Sequence, residues 1–266
     1  MNPLKIALWQ TDIAWEDKTL NLQRLRQRIA SLQGKADLLV MPETFSTGFS
    51  MRPDALAESI EGETIRTLAG WARDYGLALA GSYIACETEA HAPARPPYYN
   101  RAFFLTPEGE AYFYDKRHLF RMGGEADAYT PGSTRPLVCY RGWKILLLVC
   151  YDLRFPVWSR NRHNEYDLLL YVANWPSSRR MVWDALLKAR AIENISYACG
   201  VNRIGKDYQG TAHDGGTSAY SFKGEQLAQV PDGEEGIATF TLDADALQRF
   251  RQRFPAWMDA DAFSLA

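Results

Sequence analysis

The sequence predicts an α/β layered sandwich with mixed sheets, and three observations carry that expectation. Short apolar runs rich in β-branched and aromatic residues alternate with segments of helical period. Several neighbouring runs are joined by tight polar turns, which make hairpins and exclude an all-parallel sheet. The runs are apolar on both faces, so helices must cover the outside of the sheets. With 266 residues, 47% of them hydrophobic, the chain can bury a large core. No linker or low-complexity stretch interrupts it, so one domain is expected over residues 1–266. A tail from about residue 254 is left free to pack on a partner subunit.

Residues 4–10 read as the first strand. Residues 17–33 bring Leu20, Leu22, Leu25 and Ile29 to near-helical spacing and meet a stop at Gly34. Residues 36–41 form a buried strand that runs into Pro42 and Glu43; residues 63–75 a helix stopped by Gly76; residues 77–85 the next strand. Prolines 93, 96 and 97 make residues 91–99 a loop and a candidate lid. Two hairpins follow, 101–105 with 111–115 around Pro107-Glu108-Gly109, and 137–140 with 144–149 around Arg141-Gly142. Beyond Cys150 the order is helix (156–161), strand (168–173), helix (179–195) and strand (197–203). A hairpin over 220–230 turns at Lys223-Gly224, 236–242 is the last strand, and a helix starts near Ala244 with Asp243 as its cap.

Composition excludes several function classes. A formal charge of −2 at pH 7 leaves no global basic field for nucleic acid. No apolar run reaches the length of about 18 residues needed to span a membrane. Residues 1–10 lack the basic stretch, long apolar run and small-residue cleavage site of a signal peptide. Cys86, Cys139, Cys150 and Cys199 form no Cys-x-x-Cys pair and have no His at metal-ligand spacing. That pattern argues against a disulfide framework or a zinc site, and for free thiols in the cytoplasm. Gly123-Gly124 and Gly215-Gly216 are turns, since no phosphate-cradle spacing surrounds them.

The informative pattern is positional. Leu38-Leu39-Val40-Met41-Pro42 runs into Glu43, Ala111-Tyr112-Phe113-Tyr114-Asp115 into Lys116, and Ile145-Leu146-Leu147-Leu148-Val149 into Cys150. Ligand crevices of α/β sheets lie beyond the carboxyl ends of strands. If these strands are neighbours, a carboxylate, an ammonium and a thiol share one pocket. A strand-to-helix turn at Cys150, with Pro156 at an early helical position, would expose the thiol to a helix dipole and lower its pKa; Lys116 would push the same way. Each residue also has an ordinary reading. Cys150 fits a buried apolar thiol, Glu43 a cap, Lys116 a solvated basic loop. His118 fits a hydrogen-bonded loop residue better than a protease base, because no protease signature accompanies it.

Three strings in order resolve the choice: Pro42-Glu43-Thr44-Phe45, Asp115-Lys116-Arg117-His118-Leu119-Phe120, and Cys150-Tyr151-Asp152-Leu153-Arg154-Phe155-Pro156. Together they resemble the nitrilase, or carbon–nitrogen hydrolase, superfamily, and the resemblance extends through Asn174-Trp175-Pro176 and Arg190-Ala191-Ile192-Glu193-Asn194. Within it the chain looks like the omega-amidase branch. The resemblance implies a four-layer α-β-β-α sandwich that dimerises, and hydrolysis of the distal amide of 2-oxoglutaramate or 2-oxosuccinamate through a cysteinyl thioester. It implies Glu43, Lys116 and Cys150 as the catalytic set and Glu125, in Gly124-Glu125-Ala126, as a fourth member, although relatives often carry serine where Ala126 stands. No metal or organic cofactor is implied.

On this reading Cys150 is the nucleophile, Glu43 the base, and Lys116 with the Tyr151 N–H the oxyanion partners. A cation should meet the substrate carboxylate; the candidates are Arg154, Arg203 and Arg121, with Arg154 equally suited to tying down the loop after Cys150. Trp175, Phe120 and Phe49 are candidate apolar walls. The alternatives are an aliphatic nitrilase, an N-carbamoyl amino-acid amidohydrolase, a non-catalytic scaffold that binds a small acid or a protein, and a redox sensor centred on Cys150, which has no adjacent resolving cysteine.

Overall fold

The computed structural model describes residues 2–87 and 97–264. In chain order the elements are β1 (Leu4–Gln10), α1 (Lys18–Leu32), β2 (Leu38–Val40), α2 (Pro53–Leu56), α3 (Glu63–Tyr75), β3 (Ala78–Cys86), β4 (Tyr98–Leu105), β5 (Ala111–Asp115) and α4 (Glu125–Ala128). They continue with β6 (Leu137–Tyr140), β7 (Trp143–Val149), α5 (Pro156–Ser159), β8 (Leu168–Ala173), α6 (Arg180–Asn194) and β9 (Tyr197–Asn202). The chain closes with β10 (Ile204–Lys206), β11 (Ala212–Asp214), β12 (Ser218–Tyr220), β13 (Gln226–Gln229), β14 (Gly236–Leu242) and α7 (Ala244–Arg253).

Two six-stranded sheets form, in the orders β14-β1-β2-β3-β4-β5 and β13-β12-β9-β8-β7-β6. Both are mixed: β1-β2-β3 and β7-β8-β9 run parallel, while the flanking strands pair antiparallel. Alternation along β1 explains the layering. Leu4, Ile6 and Leu8 join the core shared with the second sheet. Ala7 and Trp9 face the other way, into a separate core with Leu25 and Ile29 of α1 and Ile65 and Leu68 of α3. On the far side, Trp183 and Leu187 of α6 close onto β9 at Gly200, where a Cβ would stand 2.5 Å from the Trp183 ring. The expected α-β-β-α sandwich of two mixed sheets is therefore present.

Local chemistry sets the element ends. Asp17 accepts the Leu20 N–H at 2.9 Å to start α1, and Asp243 accepts that of Ala246 at 2.9 Å to start α7. Gly76 ends α3 at φ +61°. The buried stripe of α1 is Asn21, Leu25, Ile29 and Leu32, with Leu20 and Leu22 only half-buried. Asn21 takes the inner place because its side chain donates to the loop carbonyls of Ala14 and Ser46.

Three expectations need correction, and one hairpin was missed. The strand before Glu43 is shorter than residues 36–41. The helix after Cys150 lasts a single turn, Pro156–Ser159, and is preceded by a 3-10 turn from Cys150 to Arg154. The hairpin β10–β11 was not legible at all, since three-residue strands around Asp207-Tyr208-Gln209-Gly210 show no alternation. Of the proline-rich loop at 91–99, residues 91–96 lie outside the described residues, and Tyr98 and Tyr99 already belong to β4. At the C-terminus the chain breaks at Pro255, and a 3-10 turn brings Trp257 against His163 of the same chain.

Candidate active site

The strands that precede Glu43, Lys116 and Cys150 are not neighbours: β2 and β5 are separated by β3 and β4, and β7 belongs to the other sheet. What they share is polarity. Pairing in each sheet points the carboxyl ends of β2, β3 and β5 one way, and those of β7, β8 and β9 likewise. The loops beyond those ends meet around a cavity of about 220 Å³ lined by Glu43, Lys116, Cys150, Asn174 and Arg203 among others.

Lys116 follows β5 directly, and its backbone pairs with Asn100 and Gly132, each at 3.0 Å. Its ammonium is fully buried and donates to Glu43 Oε1 at 2.8 Å and to both Glu125 oxygens at 2.9 Å. These acceptors match the three N–H bonds it carries. Asn100, near the start of β4, donates to Glu43 Oε1 at 2.8 Å and to Glu125 Oε1 at 3.0 Å. Ser82 of β3 fixes Asn100, donating to its Oδ1 at 3.0 Å while accepting the Thr44 N–H at 2.7 Å. Asn174, just past β8, donates its backbone N–H to Glu43 Oε2 and its side-chain N–H to the Glu43 carbonyl, both at 2.8 Å. Glu125 opens α4 and also accepts the Phe120 N–H at 2.6 Å.

Cys150 sits half-buried at φ +44°, a left-handed backbone that costs energy in a non-glycine residue. Asp152 locks the turn: its carboxylate accepts the Val149 N–H at 3.0 Å, the Tyr114 hydroxyl at 2.8 Å and the His118 N–H at 3.0 Å. Arg190 holds the Leu153 carbonyl at 2.6 Å. His118 contacts Asp152 through Nδ1 at 2.7 Å and stacks on Phe155 at 3.7 Å, off the cavity. It is the loop residue that the sequence favoured.

Charge in the site is set by burial and by neighbours. Burial opposes the ammonium of Lys116, but Glu125 and Glu43 outweigh it and hold the pKa well above its usual value. Burial, with Glu43 adding and Lys116 opposing, raises the Glu125 carboxyl. Burial and then Glu43 push the Cys150 thiol well above its ordinary range, against Lys116 and the Asn174 N–H. This reverses the expected lowering of the thiol pKa. The one-turn α5 starts only at Pro156 and supplies little dipole, while the cavity strips water from the sulfur.

Tyr151, Trp175, Arg154, Phe120 and Phe49 all line the cavity. Arg203 lines it too, but its guanidinium is fully buried and bound to Asp12 Oδ1 at 2.6 Å. Arg121 is exposed and outside the lining. The sequence reading gave no role to Asn100, Asn174, Asp152 or Arg179. The available signal for Asn100 was a lone amide inside the apolar run of β4; a strand position for an amide usually means a partner.

A family model described as carbon–nitrogen hydrolase matches residues 5–252, and the chain belongs to that family. Over 266 residues, the whole of both chains, it is 42% identical to the omega-amidase YafV of Escherichia coli (strain K12). It is 34% identical to the 2-oxoglutaramate amidase of Paenarthrobacter nicotinovorans, covering 90% of this chain and 85% of that one. Among solved structures, the CN-hydrolase superfamily protein XC1258 of Xanthomonas campestris, which has an arsenic adduct in its active site, matches with a TM-score of 0.93 and 39% identity over all of both chains.

Proposed function

We propose that the chain is an omega-amidase that hydrolyses the distal amide of a small 2-oxo acid, such as 2-oxoglutaramate, to the dicarboxylate and ammonia. One observation carries the chemistry: the buried Glu43–Lys116 pair, 2.8 Å apart, lines the same cavity as the strained Cys150. The thiol rests protonated, so attack needs a base at the moment of bond formation. Glu43 Oε1 accepts from Lys116 and Asn100, and Oε2 from Asn174 alone, so Oε2 is the oxygen that takes the thiol proton. The sulfur attacks the amide carbon, and the oxyanion develops beside the fixed positive charge of Lys116, with the N–H of Tyr151, in the first turn after the nucleophile, as its donor. Losing such a donor costs about 3–4 kcal/mol of barrier. Glu43 returns the proton to the leaving nitrogen, ammonia departs, and a thioester remains. Glu43 then deprotonates a water that attacks the thioester, and the thiol is restored. Glu125 and Asn100 keep Lys116 and Glu43 in register. The scheme uses no metal or organic cofactor.

The test is ammonia release from 2-oxoglutaramate, set beside an aliphatic nitrile and carbamoyl-β-alanine. Turnover of the amide supports the assignment; turnover of the other two alone overturns the substrate and leaves the thioester chemistry standing. We further read the chain as a single cytoplasmic domain. We place a second copy, in a homodimer, on the tail from residue 254, where Phe254 and Met258 are exposed. A solution mass of one chain would count against that placement.

A further inference from the structure

The cavity carries more positive charge than this chemistry consumes. Lys116, Arg154, Arg179 and Arg203 all line it. Lys116 lies between two carboxylates, and Arg203 is bound to Asp12, with its remaining contacts on backbone carbonyls of Ile13, Ile204 and Lys206. His213, also in the lining, is held neutral: burial and then Arg203 push it down to about 4. Among the described residues no carboxylate pairs with Arg154 or Arg179. Each guanidinium instead lies over a ring of the cavity wall, Arg154 over Trp175 at 5.4 Å and Arg179 over Phe120 at 5.0 Å. A guanidinium resting on a ring face keeps its N–H edge available for a planar anion. The remaining acid of the lining, Asp207, already accepts the N–H groups of Gln209 and Thr211, each at 2.9 Å.

The next residue supplies a contrast. Arg180 is neutralised by Asp184 and Asp232, both at 2.8 Å. Of two adjacent arginines, one has its acids and the other has none among the described residues. The backbone of Arg179 is pinned on both sides, its N–H donating to the Pro176 carbonyl at 3.0 Å and its carbonyl accepting Trp175 Nε1 at 2.9 Å. A fixed turn thus presents an unpaired guanidinium to the cavity. Arg154, by comparison, ends the segment that carries Cys150 itself.

We propose that Arg179 binds the carboxylate at the far end of the substrate and so makes the enzyme prefer an amide that carries an anion over a neutral one. This rests on the omega-amidase reading, and the test keeps the two apart by not requiring turnover. Iodoacetamide, small and neutral, alkylates Cys150; the modified peptide is quantified by mass with and without 2-oxoglutarate. In the wild-type protein 2-oxoglutarate protects Cys150. Arg179→Met, scaled to its own unprotected rate, raises the half-protecting concentration on the order of a hundredfold. Arg179→Lys, which keeps a point charge without the fork, falls between them and serves if the methionine variant does not fold. In turnover, kcat/KM for 2-oxoglutaramate drops in Arg179→Met by a larger factor than that for pentanamide. No protection of the wild type, unchanged protection in both Arg179 variants, or a loss confined to Arg154→Met overturns the proposal. A wild-type protein that is protected but releases no ammonia from 2-oxoglutaramate sinks the substrate assignment and leaves the anion site in place.

Discussion

Cys199 lies within a strand of the second sheet and Cys150 immediately after another, and the two differ in what surrounds the sulfur. Cys199 lies inside β9, in register with Leu170 and Ala219, and burial alone pushes its thiol upward. Cys150 lies just past the end of β7, at positive φ, on the cavity wall, where Glu43 adds to burial and Lys116 and the Asn174 N–H oppose it. Both thiols are therefore protonated at neutral pH, and a lowered pKa is not what separates them. The separation is that a carboxylate and an ammonium line the same cavity as one sulfur, while burial alone acts on the other. A thiol can be made a nucleophile by a neighbour that takes its proton during attack, in place of ionisation beforehand.

The largest expected effect breaks the comparison outright. Cys150→Ala should lower amide turnover by at least on the order of 10⁴-fold, and Cys199→Ala should leave kcat within a factor of about three, costing only roughly 1 kcal/mol of stability as a small cavity. A steady-state assay and a urea titration read the two. Glu43→Gln sharpens the point, because two effects run in opposite directions. Removing the carboxylate takes away a charge that raises the thiol, so alkylation of Cys150 should accelerate at lower pH, while turnover falls about 10²- to 10⁴-fold. Equal turnover after that change would place the base elsewhere.

Lys116→Met leaves Glu43 and Glu125 buried without their cation. A cost of about 3–5 kcal/mol is expected, seen as a lower denaturant midpoint. The smallest effect is a pH dependence. Both thiols hold protons more tightly in the folded chain than in the unfolded one. Between the ordinary thiol pKa and the raised one, the native state binds more protons, so stability must fall as pH rises through that window. The contribution is fully present below the ordinary thiol value. Cys199→Ala should flatten the alkaline fall in stability measured by urea titration above that value; an unchanged slope would assign the fall to tyrosines such as Tyr166 and Tyr171, which burial also raises.

The ends of β5, β8 and β14, the Gly76 stop of α3 and the Asp243 cap of α7 were all legible, because a period, an Asp or a Gly is a local signal. Glu43, Lys116 and Cys150 were legible as polar residues following apolar strands, and their order matched a family. Asn100 was harder: its role exists only because β4 sets it between two carboxylates that come from other elements. Arg154, Arg179 and Arg203 read alike as letters, and only their partners distinguish them.

Apolar periodicity, turn residues and caps, each acting over a few residues, were enough to establish the alternating strands and helices and the hairpins, and three motifs in order were enough to nominate Glu43, Lys116 and Cys150 as candidates. Tertiary structure alone decided that two sheets align their carboxyl ends around one cavity, that the thiol is protonated where a helix dipole suggested otherwise, and which arginines of the cavity are left without an acid among the described residues. Those outcomes depend on burial and on charges brought close from distant parts of the chain, and electrostatic free energy follows distance in space instead of separation in sequence.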